Sequence, residues 1–163
     1  MGFPVIGKSD YADITDEDEV FVAIGNPQIR EKLLKQCNNR ELRIATLLHP
    51  NAVIAMHVTI GKGSIIMAGT VINSDTVLGD GVILNTGSTV DHDNQISDYS
   101  HISVGAHLAG TVGIGKRTWI GAGAIVSNNI SIYHDVMIGA GAVVINNIEE
   151  PGTYVGVPAK RIR

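Results

Sequence analysis

From Ile54 onward, every sixth residue of this chain is aliphatic. The series Ile54, Ile60, Ile66, Ile72, Leu78, Leu84, Val90, Ile96, Ile102, Leu108, Ile114, Ile120, Val126, Ile132, Ile138 and Val144 fills sixteen of sixteen positions with Ile, Leu or Val. These three residue types make up 47 of the 163 residues, so chance agreement is on the order of 10⁻⁸ and a repeat architecture is nearly forced. Two residues before each aliphatic, the side chain is usually small or β-branched, as at Ser64, Thr70, Thr76, Ser88, Ser100, Ala106, Thr118, Ala124 and Ala142. One residue after it, glycine is common: Gly61, Gly79, Gly115, Gly121 and Gly139. A period of six fits neither an α-helix nor an alternating strand. It fits a parallel β-helix of short strands with a turn every six residues. Aliphatics then stack inward, small residues fill the corners, and glycine supplies positive φ. A narrow interior has no room for rings, and aromatics are only 4% of the chain.

The repeat does not reach the N-terminus. Residues 1–48 carry six Lys/Arg and eight Asp/Glu, and residues 49–163 carry the same fourteen charges over more than twice the length. Glycine runs the other way, three against sixteen. The change falls at the Leu48-His49-Pro50 step. The first part reads as α/β. Phe3 to Ile6 is a short apolar run, and Val20 to Ile24 is a continuous, buried-type strand. Asn26 is an N-cap with Pro27 at the first helical position. Ile29, Leu33, Leu34 and Cys37 then fall at helical spacing, and Leu42 to Leu48 reads as another strand. This is one βαβ unit, too small to stand alone.

Net charge is −4, which leaves no basic excess to neutralise phosphates and argues against a nucleic-acid binder. One cysteine, Cys37, cannot close an intrachain disulfide, and a reducing compartment fits. No basic-plus-apolar leader and no 18-residue apolar run suggests secretion or a membrane span. The expectation is a cytoplasmic protein with neither nucleic acid nor membrane as partner.

Motifs such as Ile60-Gly61-Lys62-Gly63-Ser64-Ile65 and Ile138-Gly139-Ala140-Gly141-Ala142-Val143 resemble the hexapeptide repeat of left-handed β-helix acyltransferases. The resemblance implies three faces per coil, a left hand and trimeric assembly. Sixteen hexads then make about five coils, roughly 25 Å long at the interstrand spacing. The implied organisation is a partial α/β, Rossmann-like segment over 1–48, a β-helix over 49–148 and an acetyl-CoA-associated tail over 149–163.

The stretch Val90-Asp91-His92-Asp93-Asn94 carries the clearest chemical signal. His92 lies two residues past an inward aliphatic, at a phase that points outward, with carboxylates on both sides. A carboxylate raises the basicity of an imidazole and fixes its tautomer, as a general base near neutral pH requires. A solvated, Asx-rich turn accounts for the same residues. The longer run from His92 to Ala106 resembles the active-site segment of the sialic-acid O-acetyltransferases and nucleotide-aminosugar N-acetyltransferases, of the bacillosamine and perosamine type. By that match His92 and Asp93 form the catalytic pair, although the family usually has Glu at the second position. Asn85 lies near the acceptor, His101 near the acetyl thioester, and the Gly110 N–H faces the thioester carbonyl.

The same resemblance extends over nearly the whole chain. Ala122 and Ala140 take small-residue positions along the pantetheine arm. Gly152-Thr153-Tyr154-Val155-Gly156-Val157-Pro158-Ala159-Lys160-Arg161 resembles the closing motif of acetyl-CoA-dependent members. Lys160 and Arg161 suit the phosphates of coenzyme A, and an ordinary charged terminus would look alike. Gly2 to Gly7 and Val22-Ala23-Ile24-Gly25-Asn26 resemble the nucleotide-sugar domain of the family. Gly25 and Asn26 open a helix where free N–H groups could meet a substrate, or where Asn26 simply caps. Members of the family have a glycine-rich strand–turn–helix before the point where this sequence starts, so the expectation is a β-helix joined to half of a second domain.

The implied function is direct acetyl transfer from acetyl-CoA, as co-substrate, to the amino group of a nucleotide-linked aminosugar, with His92 as base and no metal. Alternatives are a sialic-acid-type O-acetyltransferase and a degenerate, non-catalytic trimeric binding protein. A zinc-dependent γ-type carbonic anhydrase shares the fold, but His92, His101, His107 and His134 contain no pair five residues apart.

Overall fold

The computed structural model describes residues 19–163. The apolar run Phe3 to Ile6 and the Gly2–Gly7 motif lie outside them. The coil is a parallel β-helix of two-residue strands, one per hexad. Strands 18 residues apart pair in register and build three sheets, two of them with six coil strands and one with five. The first face runs from Leu47–Leu48 through His101–Ile102 to Val136–Ile138, the second from Val53–Ile54 through Thr89–Val90 to Val143–Val144, and the third from Thr59–Ile60 to Ser131–Ile132.

This gives about six turns rather than five. The extra strand is Leu47–Leu48, which pairs with Ile65–Ile66. The expected strand from Leu42 to Leu48 divides: Arg43–Ile44 belongs to the N-terminal sheet, and Leu47–Leu48 to the coil. Leu48 is in phase with the hexads, so its place was already written in the repeat. Leu47–Leu48 is the end strand of its sheet among the described residues, and Leu48 is 52% exposed.

The hexad aliphatics from Ile66 onward form one buried column. The residues two positions earlier form a second. At five of the six Ser and Thr positions the hydroxyl donates to the carbonyl fifteen residues on: Ser64 to Gly79 at 3.0 Å, Thr70 to Asn85 at 3.2 Å, Thr76 to Asp91 at 2.9 Å, Ser100 to Gly115 at 2.9 Å and Thr118 to Tyr133 at 2.7 Å, with Ser88 the exception. A small side chain is therefore also a fastener between coils.

Glycine plays a different part from the one expected. From Ile60 onward, positive φ falls three residues before the inward aliphatic, at Gly63, Gly69 and Gly81 but equally at Asp75, Asp93, Tyr99 and Arg117. The glycines that follow the aliphatic are not left-handed. They permit close approach instead: a Cβ on Gly61 would lie 2.4 Å from the Gly79 backbone, and one on Gly121 would lie 2.5 Å from the Ile138 carbonyl.

The N-terminal unit is small. β1 (Glu19–Val20) pairs in parallel with β2 (Arg43–Ile44), and α1 (Pro27–Asn39) connects them. The helix begins as the sequence indicates: the Asn26 side chain accepts from the Ile29 N–H at 3.0 Å, and Pro27 opens the first turn. The expected strand to Ile24 stops at Val20. From there the chain bends to bury Val22 with Leu34 and Tyr99, so coil packing overrides strand propensity.

Arg30 fixes this unit to the corner between the third and first faces. It is 1% exposed. Its guanidinium donates to the carbonyls of Ile24 and Gly25 (2.8 and 2.7 Å) on its own unit, and to those of Gly81 (2.8 Å), Tyr99 and Ser100 on the coil. Burial lowers the Arg30 pKa to about 10, and the arginine remains charged at neutral pH. Glu31 adds ion pairs to Lys116 (3.0 Å) and Arg117 (2.9 Å) beside it.

At the far end, Gly152–Val155 joins the first face in parallel with Val136–Ile138, and Lys160–Arg161 folds back antiparallel on it. No helix among the described residues is long and apolar enough to cross a membrane.

Candidate active site

His92 stands on the corner between the second and third faces. Its Nδ1 lies 2.7 Å from Asp93 Oδ2. Asp93 can turn its carboxylate back on the preceding ring because it takes the left-handed conformation, φ 57°. Both side chains face solvent, 53% and 58% exposed. The hydrogen bond to Asp93, with the nearby Asp91 and Asp93 charges, outweighs slight desolvation and raises the His92 pKa. Asp91 does not compete for the ring: its Oδ1 accepts from Asn73 Nδ2 at 2.7 Å and from the His92 backbone N–H at 2.9 Å. With Asp93 holding Nδ1–H, Nε2 keeps the lone pair a base needs.

Gly110 is one coil above His92. A Cβ on Gly110 would lie 2.6 Å from His92 Cε1 and 2.7 Å from Nε2. The missing side chain leaves the space that the imidazole fills.

Asn94, for which the sequence analysis gives no role, holds this turn from inside the coil. It is fully buried. Its amide donates to the carbonyls of Asp91 (2.6 Å), His92 (3.2 Å) and Ala109 (3.0 Å), and its Oδ1 accepts from the Val112 N–H at 3.2 Å. The available signal was positional: Asn94 is the one asparagine in the column that elsewhere holds hydroxyls, alanine and β-branched residues.

A second group forms on the first face and at the corner between the first and second faces. His101 is 7% exposed. Its ring lies 4.5 Å from that of Trp119, centroid to centroid, and Trp119 Nε1 donates to Ser103 Oγ at 2.7 Å. Burial, and to a lesser degree the Arg30 charge, lower the His101 pKa to about 4. Asn85 Nδ2 is 3.3 Å from His101 Nε2. Ala122 and Ala140 follow at the same corner, one and two coils beyond Val104. Gly25 reaches this group from the N-terminal unit, with Trp119 Cη2 3.9 Å from the site of its absent Cβ. Trp119 was not anticipated, although it lies 18 residues from His101.

Lys160 and Arg161 are exposed at the end of the first face. Arg161 is held by Glu150 Oε2 at 2.8 Å and by the Pro151 and Arg163 carbonyls. Lys160 has no ion-pair partner among the described residues.

The expected site residues therefore fall into two sets. His92, Asp93 and Gly110 share one corner. Asn85, Ala122 and Ala140 share the next, across the width of the second face, with His101 beside them on the first face. Two open depressions, of about 470 Å³ beside Leu47–Pro50 and about 630 Å³ between α1 and Arg117, contain neither histidine. Among the described residues no three His, Cys, Asp or Glu side chains converge to hold a metal.

Eighteen-residue coils of hexads are the architecture of the bacterial hexapeptide transferases. The family model described as bacterial transferase hexapeptide (six repeats) matches residues 57–92. No curated protein sequence matches the chain significantly. Among solved structures, the acetyltransferase domain of PglB from Neisseria gonorrhoeae FA1090 in complex with acetyl coenzyme A is 39% identical, with a TM-score of 0.96 over 99% of this chain and 80% of that one. PerB from Caulobacter crescentus, in complex with CoA and GDP-perosamine, is 38% identical with a TM-score of 0.87, over 88% of this chain and 69% of that one. WeeI from Acinetobacter baumannii AYE is 30% identical with a TM-score of 0.89, over 93% and 74%. The chain belongs to the hexapeptide-repeat, left-handed β-helix family of sugar N-acetyltransferases.

Proposed function

We propose that this protein transfers the acetyl group of acetyl-CoA directly to the amino group of a nucleotide-linked aminosugar, with His92 as general base. The observation that carries the reading is the exposed His92–Asp93 pair seated against Gly110. His92 Nε2 takes the proton of the acceptor nitrogen as the N–C bond forms. The C–S bond breaks, and the sulfur leaves as a thiol with that proton. The Gly110 N–H donates to the carbonyl oxygen as negative charge develops on it. No covalent enzyme intermediate is required, because transfer needs only both substrates in line.

Acetyl-CoA fits the other corner. Ala122 and Ala140 leave a small-residue track beside His101, which ends near Lys160 and Arg161 for the phosphates. The segment 1–48 serves the nucleotide sugar, with Gly25 and Asn26 at the start of α1 and Asn85 beside the acceptor. The tail 149–163 closes the coenzyme side, and use of acetyl-CoA suits a cytoplasmic enzyme.

The two sets of residues lie on different corners of one chain, which supports a homotrimer in which His92 of one copy faces His101 of the next. A panel of nucleotide aminosugars with acetyl-CoA tests the activity, and its failure with every acceptor would leave a binding protein instead. Mixing His92→Ala with His101→Ala protein tests the shared site. Restored turnover in the refolded mixture is expected, and none would return if each chain holds a whole site.

A further inference from the structure

Ser88 Oγ and His101 Nδ1 are the two buried side-chain polar atoms without a hydrogen-bond partner among the described residues. A buried polar group left unpaired is costly, and native proteins rarely keep one without a use. At His101 the orphan can be traced back to the backbone. The Thr86 N–H donates to Asn85 Oδ1 at 2.8 Å. A backbone N–H needs an oxygen, so this bond settles which end of the Asn85 amide is which. The amide NH₂ is then the group 3.3 Å from His101 Nε2. An NH₂ donates, so Nε2 accepts, and the proton of a neutral ring sits on Nδ1.

We propose that Asn85 is a positioning residue that fixes His101 as the neutral Nδ1–H tautomer, a buried donor kept for an oxygen that the described residues do not supply. Burial of His101, and to a lesser degree the Arg30 charge, disfavour the imidazolium. The two histidines then divide the work. His92 exchanges protons, and His101 keeps its proton and orients. What occupies His101 Nδ1 rests on the function proposed above, where the oxygen is the acyl carbonyl of the donor substrate. The tautomer itself does not rest on it.

The test is nitrogen NMR on histidine-labelled protein without substrate, with His101→Gln identifying the signals. The expected spectrum has His101 protonated at Nδ1, unprotonated at Nε2, and unchanged from pH 8 to pH 5. In Asn85→Asp the donor becomes an acceptor, so His101 should move to the Nε2–H form or to imidazolium. Asn85→Ser, which removes the donor without adding charge, should give a mixture of both tautomers. An Nε2–H ring in the unmodified protein overturns the proposal, and so does an unaltered tautomer in both folded variants. Where turnover is measurable, Asn85→Asp should lower kcat more than it raises KM for the aminosugar, while a purely structural role would track loss of folded protein. Absence of acetyl transfer would sink the proposed function and leave the spectra to decide the tautomer alone.

Discussion

His92 and His134 stand at the same phase of the same repeat, two residues past an inward aliphatic. Each is followed by an aspartate in the left-handed conformation, φ 57° at Asp93 and 55° at Asp135. In each the Nδ1–carboxylate distance is 2.7 Å. Taken alone, the two turns are equivalent. Their neighbours separate them. Asp93 is free to serve His92, whereas Asp135 also holds Arg117 through two bonds of 2.7 and 2.6 Å. Arg117 lowers the Asp135 pKa and ties the turn to Glu31 of α1. His134 also lies against Tyr133, ring centroids 4.0 Å apart, and His92 has Gly110 and open solvent. A histidine–aspartate pair becomes a candidate base through what the coil above leaves empty.

The sharpest way to break this comparison is to remove each ring. His92→Ala should lower turnover by about 10²–10⁴-fold, and His134→Ala should leave kcat nearly unchanged. Equal losses would erase the distinction. The next effect separates both from the buried His101. Its pKa falls from 6.5 unfolded to about 4 folded, so the unfolded chain binds the extra proton between those values. Folding stability should be complete above pH 6.5 and decline as pH falls towards 4, by up to about 3 kcal/mol. His101→Gln should flatten that limb in acid denaturation series. Gly110→Ala should displace the His92 ring and lower kcat about 10–100-fold with little change in Tm. An unaltered kcat would show that the ring has room elsewhere. The smallest effect is a shift in pH profile. Asp93 raises the His92 pKa, and a base works only when unprotonated. Asp93→Asn should therefore move the acid limb of kcat/KM to lower pH, and the corresponding change at Asp135 should not.

Much of this was legible before any coordinates. The hexads placed the core, and the helix start at Asn26-Pro27 stood as read. The His92–Asp93 contact is local, between adjacent residues. The misses have one origin. Once a coil is 18 residues, position n stacks on n+18, and that rule alone pairs His92 with Gly110, His101 with Trp119, Arg117 with Asp135 and Asn73 with Asp91. Reading hexads singly hides those partners. Reading glycine by its usual freedom also misassigned it, because here the closeness of successive coils excludes a Cβ after the aliphatic. The contacts of α1 were not legible on any period. Arg30 meets Gly81, Tyr99 and Ser100 across more than fifty residues, and only the packed chain brings them together.

That arginine bears on how such proteins can be recombined. Arg30 has carbonyls from both units around it and, among the described residues, no carboxylate paired with it. Cut the chain between α1 and the coil, and one piece keeps a cation suited to a dry socket while the other keeps a socket with nothing to fill it. The units are thus poor modules for shuffling. A chimera that gives this coil a foreign N-terminal unit must also bring a donor for the Gly81 and Tyr99 carbonyls, or accept a seam that water enters.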